Sequence, residues 1–299
     1  IAVYVRPSIV AGSITTLDSV ICFNSIAQLS LASTSGGDSN YIYSWERFDD
    51  QTMSWVTAAG ATNTTSYTSP ALTLDQQYRV RVNSGCSVED TTSIKLMDVA
   101  DEFISGSILG VDTICYNTIP SVLTATAFSG GRLPYSFQWQ RRAAGTANWS
   151  NVGTNSITYQ ESTALIASQE YQVIVTSSDN CGSLTSGIKS IVVRDSIIPA
   201  VVGSNQTICY GTAPASLSIS IIATGADDNF TYEWQSSPNG VSAWTNTGSL
   251  GLNYAPGVLT NTTWYRVMVT NSLCAVTKYS NSIAVYVRPS IVAGSITTL

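Results

Sequence analysis

The 299-residue chain contains no histidine. Without imidazole it cannot form a Ser–His or Cys–His nucleophile pair or a histidine-ligated metal site. It also lacks the Asp-Thr-Gly and Asp-Ser-Gly motifs of aspartic proteases, a glycine-rich phosphate loop and a Cys-x-x-Cys pair. These absences argue against an enzyme, and we expect neither a cofactor nor a metal ion.

Charge is scarce as well. Only 11% of residues are charged, the net charge is −6 and no basic cluster occurs, which argues against nucleic acid or an anionic membrane as a partner. No run of about 18 apolar residues is present, so no segment is expected to insert into a membrane. A charged-then-apolar leader is also missing, and any targeting signal is expected outside this sequence. The apolar content of 44% favours a folded chain over a disordered one.

The sequence repeats on two scales. Residues 1–17 and 283–299 are identical, so the sequence restarts at position 283, and a shorter repeat recurs at Cys22, Cys115 and Cys209. Such periodicity predicts a tandem array of separately folded units in an extended rod. The expected boundaries are 1–7 for the last strand of a preceding repeat, 8–100, 101–195 and 196–289 for three repeats, and 290–299 for the first strand of the next.

Each repeat carries the same aromatic skeleton. A Trp follows the first Cys at a nearly constant distance and a second Trp comes ten positions later, as in the pairs Trp45/Trp55, Trp139/Trp149 and Trp234/Trp244. A later Tyr opens an alternation with Val, as in Tyr265-x-Val267-x-Val269, and this period of two predicts a half-buried strand. No segment has a sustained helical period. About seven short strands in each ~94 residues predict an all-β sandwich.

The two Trp residues receive different predictions. Alternation puts Phe230, Tyr232 and Trp234 on one face of a strand, which predicts that the first Trp is buried in a central strand. The second Trp lies past the hairpin turn and is expected to cover an edge of the same core. The alternative is an exposed aromatic platform for a sugar.

The Leu-x5-Tyr-x-Val-x-Val run resembles the tyrosine corner of fibronectin type III and immunoglobulin-like sandwiches. The resemblance covers all three repeats, at Tyr78, Tyr171 and Tyr265. It implies three tandem immunoglobulin/fibronectin-III-like β-sandwich domains, in which the Tyr hydroxyl caps the loop that enters strand F.

The six cysteines fall two to a repeat and suggest a disulfide-permissive, extracytoplasmic compartment. The second Cys lies beyond the alternating strand, whereas the immunoglobulin pattern has it inside that strand, shortly after the corner Tyr. The two cysteines of a repeat are separated by nearly the same length in all three repeats, which favours the bonds Cys22–Cys86, Cys115–Cys181 and Cys209–Cys274. Geometry raises an objection, because the start of strand B and the end of strand F lie at opposite poles of a sandwich. Cα atoms more than about 7 Å apart cannot be bridged.

A family resemblance rests on three segments of the third repeat. These are a Thr-Ile-Cys-Tyr-Gly opening, the Trp-rich stretch from Tyr232 to Asn246, and a Leu-Thr-x-Thr-Thr-x-Tyr-Arg-Val close. They resemble the immunoglobulin-like repeats of giant Bacteroidota surface adhesins, including SprB-type gliding adhesins exported by type IX secretion. The resemblance implies a cell-surface stalk that spaces a distal binding region or transmits force. Its partners would be neighbouring repeats, with a surface or glycan ligand bound by regions outside these residues.

The same resemblance implies O-glycosylation at Asp-(Ser/Thr)-aliphatic or Asp-(Ser/Thr)-Thr motifs. Four such motifs occur, with the hydroxyl on Ser19, Thr91, Thr113 and Ser196. Short motifs also arise by chance in a chain rich in Ser and Thr. The five Asn-x-Ser/Thr sequons, at Asn63, Asn148, Asn205, Asn229 and Asn261, would count only in a eukaryotic secretory host.

Two rival function classes remain open. Carbohydrate-binding modules of an extracellular enzyme would need an exposed row of aromatic rings. A eukaryotic immunoglobulin-family receptor would need N-glycans and an in-strand Cys. A Ca²⁺-stiffened junction at Asp98, Asp101 and Glu102 is disfavoured, because the acidic cluster is not repeated at the other junctions.

Overall fold

The computed structural model describes residues 3–85 and 89–294. These residues form strands, turns and a single 3₁₀ turn, Ser178–Asn180, which confirms the prediction of an all-β chain. Among them no helix has the length and apolar character needed to cross a bilayer. Contacts divide the chain into two compact units. The first comprises Ile1–Gly110, Ser121–Gln160 and Glu170–Ser190, and the second comprises Val111–Pro120, Glu161–Gln169 and Ile191–Leu299.

The first repeat lies in the first unit and has nine strands: β1 (Ser13–Thr16), β2 (Val20–Ile21), β3 (Gln28–Ala32), β4 (Tyr41–Asp49), β5 (Ser54–Thr57), β6 (Ser66–Thr68), β7 (Gln76–Ser84), β8 (Asp90–Thr91) and β9 (Lys95–Val99). A three-stranded sheet has the order β1-β3-β6. A six-stranded sheet has the order β2-β9-β7-β4-β5, with β8 paired to β7. The opening segment is therefore divided between the two sheets.

The second repeat has the same nine strands: β10 (Ser107–Leu109), β11 (Thr113–Ile114), β12 (Leu123–Thr126), β13 (Ser136–Ala143), β14 (Ser150–Val152), β15 (Thr158–Tyr159), β16 (Gln169–Thr176), β17 (Ser183–Thr185) and β18 (Lys189–Val193). The sheet orders are β10-β12-β15 and β11-β18-β16-β13-β14, with β17 paired to β16. The topology of the first repeat thus recurs strand for strand.

The third repeat lies in the second unit, with strands β19 (Val201–Val202), β20 (Gln206–Cys209), β21 (Leu217–Ile221), β22 (Thr231–Ser237), β23 (Thr245–Leu250), β24 (Asn253–Tyr254), β25 (Thr263–Asn271), β26 (Val276–Tyr279) and β27 (Ile283–Arg288). Its sheets have the orders β19-β21-β24 and β20-β27-β25-β22-β23, with β26 paired to β25. Three sheet-pair domains of one topology therefore make up the described chain. The exact repeat boundaries stay predictions.

The first Trp of each repeat is the centre of its core, as predicted. Trp45, Trp139 and Trp234 have 0% of their surface exposed. Each indole N–H is satisfied by a backbone carbonyl, at 2.8 Å in the Trp139 Nε1 to Ser156 O bond. Strict alternation in β7 and β25 turns the predicted Tyr and Val residues inward against the Trp. The alternating pattern and the buried indole therefore build the same face of the sandwich.

The tyrosine corner forms in part. In the first repeat the Tyr78 hydroxyl interacts with the side chains of Tyr67 and of Ser69, which lies at the start of the loop that enters β7, and burial raises the pKa of Tyr78 to about 12. In the third repeat burial likewise raises the pKa of Tyr265 to about 12, but its hydroxyl partner is the Thr263 side chain. The predicted loop cap is therefore wrong for the third repeat. The residue in the place of Ser69 is Pro256, which has no hydroxyl to offer.

We predict that truncating the two Trp residues of the third repeat has unequal effects. Trp234→Ala should lower its free energy of unfolding by about 3–5 kcal/mol, because a fully buried ring is lost. Trp244→Ala should cost about 1 kcal/mol, since that ring is only half-buried and stacks on an arginine. Hydrogen exchange of the β25 amides measures the loss of unfolding free energy in each variant of the intact chain. Equal losses would contradict the core assignment.

Candidate functional site

The disulfides join neighbouring repeats. Cys22 is bonded to Cys181 and Cys115 to Cys274, with Cα–Cα distances of 5.1 and 5.7 Å, and each bond spans 159 residues. In both, the first Cys of one repeat meets the second Cys of the next. The predicted bonds Cys22–Cys86, Cys115–Cys181 and Cys209–Cys274 are therefore wrong. Cys209 is a free, exposed thiol, and Cys86 lies outside the described residues.

Strand direction explains the correction. The strand before the first Cys runs parallel to the last strand of its repeat, as β2 does with β9. Its Cys therefore lies at the end of the sandwich from which the chain leaves for the next repeat. In the third repeat the second Cys, Cys274, follows β25, which is antiparallel to the last strand β27, so it lies at the opposite end. Cys209 and Cys274 of the third repeat therefore lie at opposite ends of their sandwich, whereas the bonded cysteines of adjacent repeats meet at the joint.

The joint at Cys22–Cys181 lies within the first unit and is fastened by polar contacts. Arg132 pairs with Asp179 at 3.2 Å, and its Nη1 donates to the Val20 carbonyl of the preceding repeat at 3.4 Å. The buried Ser177 Oγ accepts from the Arg132 backbone N–H at 2.6 Å. These bonds hold the 3₁₀ turn that precedes Cys181 against the loop that carries Arg132.

The joint at Cys115–Cys274 lies within the second unit and has a different polar support. Asn271 is fully buried, and its Oδ1 accepts from the Cys274 N–H at 2.9 Å. Its Nδ2 donates to Asp227 Oδ1 and, at 2.9 Å, to the Asn229 carbonyl. The bond from Asn271 lowers the pKa of Asp227. The turn that carries Cys274 is therefore anchored through one amide, beside a cleft of about 330 Å³.

The position of the second Trp in each repeat differs from the prediction that this ring covers an edge of the core. The ring lies on the outer face of the larger sheet and not over the core. An Arg guanidinium covers each ring at 4.2–4.4 Å, in the pairs Arg79–Trp55, Arg142–Trp149 and Arg266–Trp244. The Arg Nε is bonded to an acceptor on the neighbouring central strand, namely Glu46, Glu170 or Gln235 at 2.6–2.8 Å. A ring face under a fixed guanidinium is not free to stack on a sugar.

Sequence reasoning missed this Arg–Trp pair, although part of its signal is present. Arg79 and Arg266 each follow the corner Tyr directly, which places them on the outward side of the alternating strand. In the second repeat the roles are exchanged between strands, because Arg142 lies on β13 and its acceptor Glu170 on β16. The charge pair is thus kept while its orientation is reversed.

The four predicted glycosylation residues, Ser19, Thr91, Thr113 and Ser196, are exposed. Their occupancy stays a prediction. In residues 3–85 and 89–294, no three His, Cys, Asp or Glu side chains are grouped so that they could hold a metal ion. Within that part of the chain, the disulfide joints and the Arg–Trp pairs are the chemistry that recurs from repeat to repeat.

We predict that Asp227→Ala speeds reduction of Cys115–Cys274 by about fivefold, the factor that corresponds to losing one hydrogen bond of about 1 kcal/mol. Limited treatment with a phosphine reductant, followed by alkylation and mass spectrometry, measures both bonds in one sample. Cys22–Cys181 is the internal control and should keep its rate. Asp227→Asn, which retains an acceptor oxygen, should have a smaller effect. Equal acceleration of both bonds would contradict the local role of Asn271.

Solved multi-domain structures resemble this chain at low identity. The three N-terminal domains of the outer capsid protein Hoc of bacteriophage RB49 share 16% identity over 94% of this chain and 99% of that chain, with a TM-score of 0.42. Chicken CNTN1 domains FN1–FN3 share 12% identity over 95% of this chain and 99% of that chain, with a TM-score of 0.33. The insect immune protein hemolin shares 12% identity over 92% of this chain and 76% of that chain, with a TM-score of 0.36. Among curated proteins no sequence matches.

One family description matches nearly the whole chain in three consecutive copies. The matched residues are 10–100, 104–195 and 198–289, one for each sheet-pair domain. The chain therefore belongs to the family described as a domain of unknown function, DUF8696, and carries three tandem copies of that domain.

Proposed function

We propose that this chain is a non-enzymatic stalk segment of a giant repetitive bacterial surface adhesin. It spaces a distal binding region from the cell surface and transmits force in adhesion or gliding motility, after export by type IX secretion. The observation that carries the proposal is the pair of cross-repeat disulfides, Cys22–Cys181 and Cys115–Cys274. A chain of binding modules has no need of such bonds, whereas a force-bearing array gains a covalent limit to its extension.

The two disulfides make overlapping covalent loops. Tension between the chain ends would enter at Cys22, cross to Cys181, return along the backbone to Cys115, and cross to Cys274. This path contains only about 110 residues, so the fully unfolded, oxidised chain could extend to about 400 Å. The reduced chain could extend to roughly 1,000 Å. Unfolding under load would therefore release little length, and the domains would stay close enough to refold.

The surface chemistry supports an extracellular position. Disulfides persist in oxidising compartments. The exposed hydroxyl-bearing residues Ser19, Thr91, Thr113 and Ser196 would carry O-glycans, which add bulk and solubility to a surface with few charges. Ser19 and Thr113 lie three and two residues before a joint cysteine, where a glycan would also shield the neighbouring bond.

The carbohydrate-binding alternative has less support, because an arginine covers one face of the second Trp in every repeat. The first Trp is buried and cannot contact a ligand. A glycan array probed with the isolated chain separates the two functions. Specific binding that is lost in Trp244→Ala would favour the binding module over the stalk.

Force spectroscopy of the chain, tethered at both ends, tests load bearing. With Cys86 and Cys209 replaced by Ser, the oxidised chain should stop extending at about 400 Å and the reduced chain at roughly 1,000 Å. Equal final lengths would contradict the proposal.

A second variant makes the force test specific for the cross-repeat pairing. Adding Cys22→Ser and Cys181→Ser leaves Cys115–Cys274 as the one predicted loop, and the final length should be about 500 Å. If cysteines paired within repeats instead, the partners of Cys115 and Cys274 would both be among the replaced residues. The final length would then be roughly 1,000 Å, the same as that of the reduced chain.

A further inference from the structure

Cys209 occupies the same position on the same turn as the two bonded first cysteines. In each repeat the residue two after the Cys donates its backbone N–H to a Leu carbonyl at 2.7–3.0 Å: Asn24 to Leu72, Asn117 to Leu165 and Gly211 to Leu259. The next residue forms an isolated bridge to that same Leu. The Thr212 hydroxyl donates to the Cys209 carbonyl at 2.8 Å, as that of Thr118 does to Cys115 at 2.6 Å. Cys209 is thus held as Cys22 and Cys115 are held, but has no sulfur partner among the described residues.

The strand that ends in Cys209 places this residue at the end of the third repeat from which the chain leaves. β20 is parallel to β27 through four residue pairs, the last being Cys209 opposite Arg288. β27 is the strand by which the chain leaves this repeat. Cys22 and Cys115 have the same relation to β9 and β18, and both meet a cysteine of the following repeat there.

The sequence period supplies a partner at the required distance. Both observed bonds span 159 residues, so the partner of Cys209 would fall at position 368 of a continued chain. Position 368 is one full period, the step from position 1 to position 283, beyond Cys86, the second cysteine of the first repeat. The separation of the two cysteines within a repeat differs among the three repeats, whereas this third cross-repeat separation equals the two observed ones. The spacing is therefore kept across the period boundary.

We propose that Cys209 forms a disulfide with the second cysteine of the repeat that follows it, the counterpart of Cys86 one period on. By the same rule Cys86 pairs with the counterpart of Cys209 one period earlier. Each bond forms when the two thiols give up two protons and two electrons, which reduce one molecule of a disulfide oxidant, such as oxidised glutathione, to two thiols. Every repeat of the array is then bonded to both neighbours, without a break between periods.

This inference extends the proposed stalk function, but it rests on the sequence period and on thiol chemistry, and not on load bearing. The test is a tandem protein in which residues 1–282 are followed by residues 1–299, with six cysteines in each copy. Oxidised in a glutathione buffer and then denatured, it should react with a thiol reagent at two cysteines: Cys86 of the first copy and Cys209 of the second. Mass spectrometry should recover a peptide that links Cys209 of the first copy to Cys86 of the second.

A matched variant keeps the result interpretable. Cys86→Ser in the second copy alone should raise the thiol count from two to three, with Cys209 of the first copy newly reactive. Four reactive thiols in the parent tandem protein, falling to three in the variant, would overturn the proposal. Disulfide-linked dimers joined through Cys209 of the first copy, identified by mass spectrometry of the dimer band on a non-reducing gel, would also overturn it. Neither outcome bears on the force measurement, which uses a chain without these two cysteines.

Discussion

The structure depends on one strand pairing that is made three times. A short strand near the start of each repeat lies parallel to the last strand of the same repeat, as β2 lies beside β9 and β20 beside β27. Parallel pairing carries the first cysteine to the end of the sandwich where the chain departs. In the third repeat the antiparallel strand β25 carries the second cysteine, Cys274, to the opposite end. Cross-repeat disulfides follow from these two directions, and the proposed mechanics follow from the disulfides.

The fold class could be predicted from sequence because its signals are local. The alternation in Tyr265-x-Val267-x-Val269 predicts a strand from its period of two residues. A Trp that alternates in phase with neighbouring aromatic residues predicts which face of its strand is buried. The disulfide pairing could not be settled in this way. The nearly constant separation of the two cysteines within each repeat favours bonds within repeats. The distance between the opposite poles of a sandwich argues against such bonds, and the structure agrees with that objection. The decisive signal was the identical separation of 159 residues between Cys22 and Cys181 and between Cys115 and Cys274, which only comparison across repeats reveals.

The second Trp shows a different limit of sequence reasoning. Trp45 faces the core and Phe48, three residues later, faces outward, and the hairpin register sets Trp55 opposite Phe48. The face of the second Trp is therefore decided by the length of the turn between β4 and β5, because a shift of one residue would reverse it. The spacing between the two Trp residues is constant, but it does not determine the register in which β4 pairs with β5. The arginine that covers each ring could be located only once the strands were paired.

The central claim is that consecutive repeats are held together by a covalent bond besides the backbone. A single protease site inserted between Asp101 and Glu102, both exposed in the linker between the first two repeats, tests it most directly. After complete cleavage, the account predicts one species of full mass on a non-reducing gel and two fragments, of about 100 and about 200 residues, after reduction, because Cys22–Cys181 spans the cut. Separation into two fragments without reductant would contradict it.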